Sequence, residues 1–167
     1  MSRGFVKEDD QEEVPIVPRR AYLPDGVPNL VTRAGMEQLL AEKKALTGEK
    51  NNLTGNNENE RRIALNLINA KLNLLNGRIA EAKVVDLTEQ PQNEIRFGAT
   101  VTLEIGAQHK KQVFQIVGVD EADLSKGKIS FISPLARVLI NKKEGDHVSL
   151  NREKETLVYK VLKISYL

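Results

Sequence analysis

The chain has 167 residues, 40% hydrophobic and 29% charged, and a net charge of +2 from 25 basic and 23 acidic residues. This is the make-up of a globular chain of one or two small domains; so even a balance lacks the basic excess of a domain that grips nucleic acid by itself, and the absence of cysteine excludes disulfides, thiolate metal sites and cysteine nucleophiles. With four Phe, three Tyr and no Trp, neither half buries a large core, so part of the stability is expected from a long helical seam.

Residues 1–29, MSRGFVKEDDQEEVPIVPRRAYLPDGVPN, hold four of the six prolines and the acidic cluster Glu8, Asp9, Asp10, Glu12 and Glu13. Proline interrupts helices and the acidic run repels itself, so an extended or disordered arm is expected. Two readings stay open. The arm is a solvated leader, or it docks on its own protein or a partner through Val14, Ile16, Val17 and Tyr22. It lacks the apolar centre of a signal peptide, and no apolar run is long enough to span a bilayer, which reads as a cytoplasmic protein without membrane contact.

Residues 30–88 read as an antiparallel helical hairpin with its tip at 54–60. Thr32 is the expected N-cap, and Met36, Leu39, Leu46 and Leu53 form a seam in which Lys43 and Lys50 lay their aliphatic stems over apolar neighbours. The second helix is more regular: Leu65, Ile68, Leu72, Leu75, Ile79 and Ala82 alternate by three and four, the pattern of a coiled coil. A fully helical 32–54 would span ~35 Å. Leu67 and Leu74 lie off the stripe, either widening the core face towards the arm or facing a partner. At the tip, Asn57 followed by Glu60 matches a helix cap, while Glu58 stays exposed whichever residue caps.

From residue 89 to 167 the pattern becomes that of strands. RFGATVTLEI, KQVFQIVGV, KISFI, HVSLN and TLVYKVLKISYL are runs of β-formers separated by turn residues, interrupted by SPLARVLINKK, where Ser133 caps and Pro134 opens a short helix. An antiparallel sheet with one short helix makes this an α+β domain. His109 and His147 stand alone, without a zinc pattern. Ser133 lacks a nucleophile context. The acidic string DEAD at 120–123 is read as a solvated turn, since the chain is too short for the nucleotide-binding fold that such a motif serves elsewhere.

LVTRAGMEQL at 30–39, GRIAEAKVVD at 77–86, FGATVTL at 97–103, IVGVDEADLSKGKIS at 116–130, SPLARVLINKKEGD at 133–146 and VLKISYL at 161–167 resemble the Gre family of bacterial transcript-cleavage factors, over residues 30–167. The resemblance implies an N-terminal coiled coil followed by an FKBP-like domain. It also implies an accessory factor for RNA polymerase that is not itself an enzyme; separately, a monomer is expected when free, with pairing through Leu67 and Leu74 as the alternative. The C-terminal domain, through Ser133, Pro134 and Arg137, would dock at the mouth of the secondary channel, and the hairpin would enter it. Tip carboxylates would then share Mg2+ with the polymerase and orient a water that cleaves backtracked RNA near its 3′ end.

Against the family tip pattern G-D-x-x-E-N, GNNEN keeps Gly55, Glu58 and Asn59, is one residue shorter and places Asn56 where the Asp belongs. Glu58 is therefore the expected catalytic acid and metal ligand. Glu60 is the remaining acid that can stand in, a role no motif match assigns. The hairpin aligns about two heptads shorter than the family pattern, a loss of ~10 Å of reach. Three functions stay open: a cleavage-stimulating elongation factor, a secondary-channel regulator that does not cleave, and a prolyl isomerase or chaperone. For the last, the aromatics Phe97, Phe114, Phe131, Tyr159 and Tyr166 fit core packing better than an open prolyl pocket.

Overall fold

The computed structural model of the chain describes residues 15–55 and 57–167. The acidic cluster, Val14 and Asn56 therefore lie outside the described residues. A short strand β1 (Asn29–Val31) leads into helix α1 (Arg33–Asn51), capped by Thr32, whose side-chain oxygen accepts from the Gly35 N–H at 2.9 Å. The return helix α2 (Glu58–Glu81) ends at Ala82, where the chain becomes extended as β2 (Ala82–Val84) and pairs parallel with β1. Strands this short carry no readable period in sequence. They form because α1 starts beside the end of α2, which brings the extended segments before and after the hairpin together.

The seam of the hairpin is buried from its base to Ile68, about midway along α2. Val31, Leu39 and Leu75 are buried together, with Met36, Leu46, Ile79 and Ala82 packed against them. Each of the two leucines contributes roughly 1.5–3 kcal/mol by leaving water. Towards the tip, Leu53 and Leu65 are half-buried and Lys43 and Lys50 are exposed, so the last turns before the tip contribute least to the seam.

The second unit is a five-stranded sheet. β3 (Thr100–Ile105) and β4 (Lys110–Val117) form a hairpin, β5 (Lys128–Ser130) follows, and helix α3 (Pro134–Leu139) leads to β6 (His147–Arg152) and β7 (Glu155–Ser165). The spatial order is β5-β4-β3-β7-β6. All pairings are antiparallel except β4 with β5, which run parallel because residues 118–127 cross over between them. The sheet is thus mixed at one edge rather than antiparallel throughout, within the α+β class read from the sequence. Leu162 bulges where the β3–β7 register shifts.

Ala136 and Leu139 of α3 press on the inward side chains Val101, Leu103, Ile116, Ile129, Val148, Tyr159, Val161 and Ile164. Phe97 meets Phe131 edge to face at 5.6 Å between ring centres, a favourable aromatic geometry inside the same core. The Tyr166 hydroxyl accepts from the Arg96 N–H at 2.7 Å and donates to the Glu94 carbonyl, and burial raises its pKa. Like Phe97 and Tyr159, it is committed to packing.

The structure corrects the sequence reading of the acidic string at 120–123. The Asp120 and Glu121 side chains are 8% and 3% exposed, and they form the mount on which the hairpin sits. Glu121 accepts from the Thr32 hydroxyl, with Lys128 Nζ 3.8 Å away. Alongside, β1 passes so close that a β-carbon on Gly118 would lie 2.5 Å from the Leu30 carbonyl oxygen. The string looks solvated in sequence because the groups that cover it, Thr32 and Arg20, lie 89 and 100 residues away.

Candidate functional site

Two surfaces carry the residues singled out from sequence, and local physics builds each. At the distal end of the hairpin, Asn57 adopts extended backbone and its Oδ1 accepts from the Glu60 N–H at 2.7 Å, satisfying one free donor of the first turn. Glu58 and Glu60 occupy that turn, where the helix dipole favours negative charge. Asn59 Oδ1 accepts from Arg62 Nη2 at 3.0 Å. Gly55 lies against the start of α2: an added β-carbon would stand 3.3 Å from Arg61 Cβ and from the Asn57 carbonyl oxygen.

Gly55, Glu58, Asn59 and Glu60 are all exposed and close in the chain. The helix nevertheless separates the two acids, because residues two apart project ~200° around the axis. Glu58 and Glu60 therefore cannot present one bidentate acidic face. Arg61 and Arg62 follow directly and are also exposed, so the tip is a mixed-charge surface. Among the described residues no three His, Asp or Glu side chains converge on a point where a metal could sit. The tip does not fit a Mg2+ ion held by this chain alone. It offers a single carboxylate at a time.

The other surface is the start of α3. Ser133 Oγ accepts from the Ala136 N–H at 3.3 Å and Pro134 takes the first helical position, where its missing N–H costs nothing. Ala136 and Leu139 anchor the helix in the core, which leaves Pro134 and Arg137 exposed and Ser133 half-buried at the edge of the sheet. Among the described residues no hydrogen bond joins this edge to the hairpin tip.

Sequence reasoning missed a third set, the residues that mount the hairpin: Arg20, Arg78, Asp120 and Glu121. Arg20 donates to Glu42 at 2.7 and 3.0 Å and to Asp120 at 3.1 Å. The arm therefore docks on its own protein, but through Arg20 and the Ala21 carbonyl, which accepts from Arg78. Of the apolar residues expected to do so, Ile16 and Tyr22 are 93% and 77% exposed and Val17 lines a cleft. The available signal was the basic pair Arg19–Arg20 in an arm of net negative charge, and it named no partner.

A sheet domain that carries a helical hairpin tipped with exposed carboxylates defines an α+β protein of the coiled-coil, sheet-domain type. The family described as transcription elongation factor GreA/GreB, C-terminal, matches residues 90–166, so the sheet domain of this chain is similar to the C-terminal domain of that family. The transcription elongation factor GreA of Hyphomonas neptunium is 39% identical over 101 residues, 60% of this chain and 64% of that one. GreA of Bartonella tribocorum is 43% identical over 89 residues, 53% of this chain and 57% of that one. The chain thus matches less than two thirds of the length of these relatives. Among solved structures, a prokaryotic GreA/GreB elongation factor from Nitrosomonas europaea aligns over 82% of this chain and 98% of that one at 19% identity, with a TM-score of 0.42. No helix among the described residues is long and apolar enough to cross a membrane.

Proposed function

We propose that this chain is a transcription elongation factor that binds RNA polymerase and stimulates the polymerase's own cleavage of backtracked RNA. The observation that carries the reading is the pairing of a GreA/GreB C-terminal domain with a hairpin whose far end presents Glu58 to solvent. In this reading the α3 edge, with Ser133, Pro134 and Arg137, contacts the polymerase. The hairpin enters the secondary channel towards the RNA 3′ end. The 24 residues of α2 give a probe of ~36 Å.

Within the site, a Glu58 carboxylate oxygen would accept a hydrogen bond from the attacking water and fix its orientation. Asn57 and the first turn of α2 hold Glu58 in place. Any Mg2+ would be held mainly by the polymerase, with Glu58 as this chain's one ligand; such an ion supplies a more acidic water and offsets charge on the phosphate.

A specific feature favours a second reading, in which the hairpin occupies the channel without promoting cleavage. Glu58 and Glu60 face apart on the helix, and Asn56 cannot supply an anionic ligand. A prolyl isomerase finds less support, since Phe97, Phe131, Tyr159 and Tyr166 are committed to the core. One experiment separates the readings: a stalled, backtracked elongation complex incubated with and without the chain, scored for shortened RNA 3′ ends and for co-migration of the chain with polymerase. Faster shortening is expected. Co-migration with unchanged RNA would select the second reading, and no co-migration would remove both.

A further inference from the structure

The residues that join the arm to the two units have no part in the tip or in the α3 edge, and their geometry is that of a brace. We propose that residues 15–29 are a strap that fixes the angle between the hairpin and the sheet domain, with Arg20 as its positioning residue.

Arg20 uses two edges of one guanidinium. Nη1 and Nη2 reach both carboxylate oxygens of Glu42 on α1, while Nε reaches Asp120 Oδ1 in the turn after β4. The planar fork makes this double engagement possible, and an ammonium could not reproduce it. The other Asp120 oxygen stands 3.9 Å from Arg78 Nε on α2. Arg78 in turn donates to the Ala21 carbonyl, and its own carbonyl accepts from Asn29 Nδ2 at 2.9 Å. One segment is thereby tied to α1, to α2 and to the sheet domain.

The position of the attachment matters as much as its chemistry. The remaining hairpin-to-sheet contacts described above, Thr32 with Glu121 and Leu30 against Gly118, lie together at the base and act as a pivot. Glu42 lies ~15 Å up α1 from Thr32, so a tie from Glu42 to Asp120 braces the hairpin at a distance from that pivot. The grip is polar rather than apolar. A cleft of about 470 Å³ lies beneath the strap, bordered by Val17, Leu46, Lys71, Leu74 and Val119, and Leu74 remains 46% exposed. Cutting the ion pair should therefore free the angle without opening a hydrophobic core.

The native chain contains no cysteine, so two introduced ones, Asn51→Cys beside the tip and Lys154→Cys in the β6–β7 turn, take spin labels at defined places. Electron–electron distance measurements on the free full-length chain should give one narrow distribution. Arg20→Ala should broaden it roughly twofold as the hairpin samples several angles, and Glu42→Gln, which cuts only the hairpin end of the strap, should broaden it as well. If Arg20→Ala fails to fold, Glu42→Gln carries the test. Unchanged widths, or a loss of stability at constant width, would overturn the proposal. Because the free chain is measured, the result stands apart from whether the chain binds polymerase.

Discussion

The Thr32 hydroxyl donates to the buried Glu121 carboxylate while its oxygen accepts from the Gly35 N–H, so one side chain both starts α1 and fastens the hairpin to the sheet domain. Removing it should cost on both counts. Thr32→Val loses a cap worth about 1 kcal/mol and leaves Glu121 with only Lys128 nearby, a further loss on the order of 1–3 kcal/mol. Urea unfolding should show a total of about 2–4 kcal/mol, with Thr32→Ser close to the parent. A Thr32→Val midpoint equal to the parent's would contradict the dual role.

Gly118 should tolerate no side chain. A β-carbon there meets the Leu30 carbonyl oxygen, which belongs to backbone and cannot swing aside. Gly118→Ala is expected to destabilise by about 1–3 kcal/mol, as overpacking does. It should also speed hydrogen exchange at the Val85 N–H, which bonds to the Val31 carbonyl at 3.0 Å in the same layer.

At the tip, stability and activity should separate. Asn57→Ala removes the cap and should cost about 1 kcal/mol. Glu58→Gln should cost only a few tenths, yet abolish stimulated RNA cleavage while polymerase binding persists. Asn56→Asp supplies the acid that the family pattern has there and should raise cleavage. If Glu58→Gln cleaves normally and Asn56→Asp brings no gain, the tip carboxylates only stabilise α2.

The Arg20–Glu42 pair sets an acid limit. The hydrogen bond from Arg20 holds the Glu42 carboxyl below its ordinary value of 4.5, and Glu42 with Asp120 raises the Arg20 pKa. A depressed carboxyl contributes stability above its unfolded pKa and loses it as pH falls through the folded value. Asp120, Arg78 and, lining the adjoining cleft, Arg19 and Lys71 are the other charged groups in this region. The Glu42 side chain is 43% exposed, so the effect should be small, about 0.2–1 kcal/mol. It should vanish between roughly pH 5 and 3, and Glu42→Gln should flatten that part of the stability profile.

Docking through the α3 edge is testable without disturbing the core. Pro134 is exposed, and Pro134→Ala should cost no more than about 1 kcal/mol, chiefly by loosening the unfolded chain. Arg137→Ala should leave stability within ~0.5 kcal/mol. Each should weaken co-migration with polymerase. Parent-like affinity in both folded variants would remove this edge from the interface.

What the sequence determined alone was local or periodic. The three-four alternation from Leu65 to Ala82, the caps at Thr32, Asn57 and Ser133, and the strand runs after residue 95 each act over a few residues, so the two helices, α3 and the five strands were legible one by one. Tertiary structure decided what joins them. The pairing of β1 with β2, the parallel placement of β5, and the Arg20–Glu42–Asp120 and Thr32–Glu121 ties depend on residues 13 to 100 positions apart. Asp120 and Glu121 look like a solvated turn until the hairpin base covers them. Arg20 looks like one more charge in an arm until the fold sets two carboxylates at the reach of a single guanidinium. The free energy of such contacts depends on distances that only the folded chain fixes.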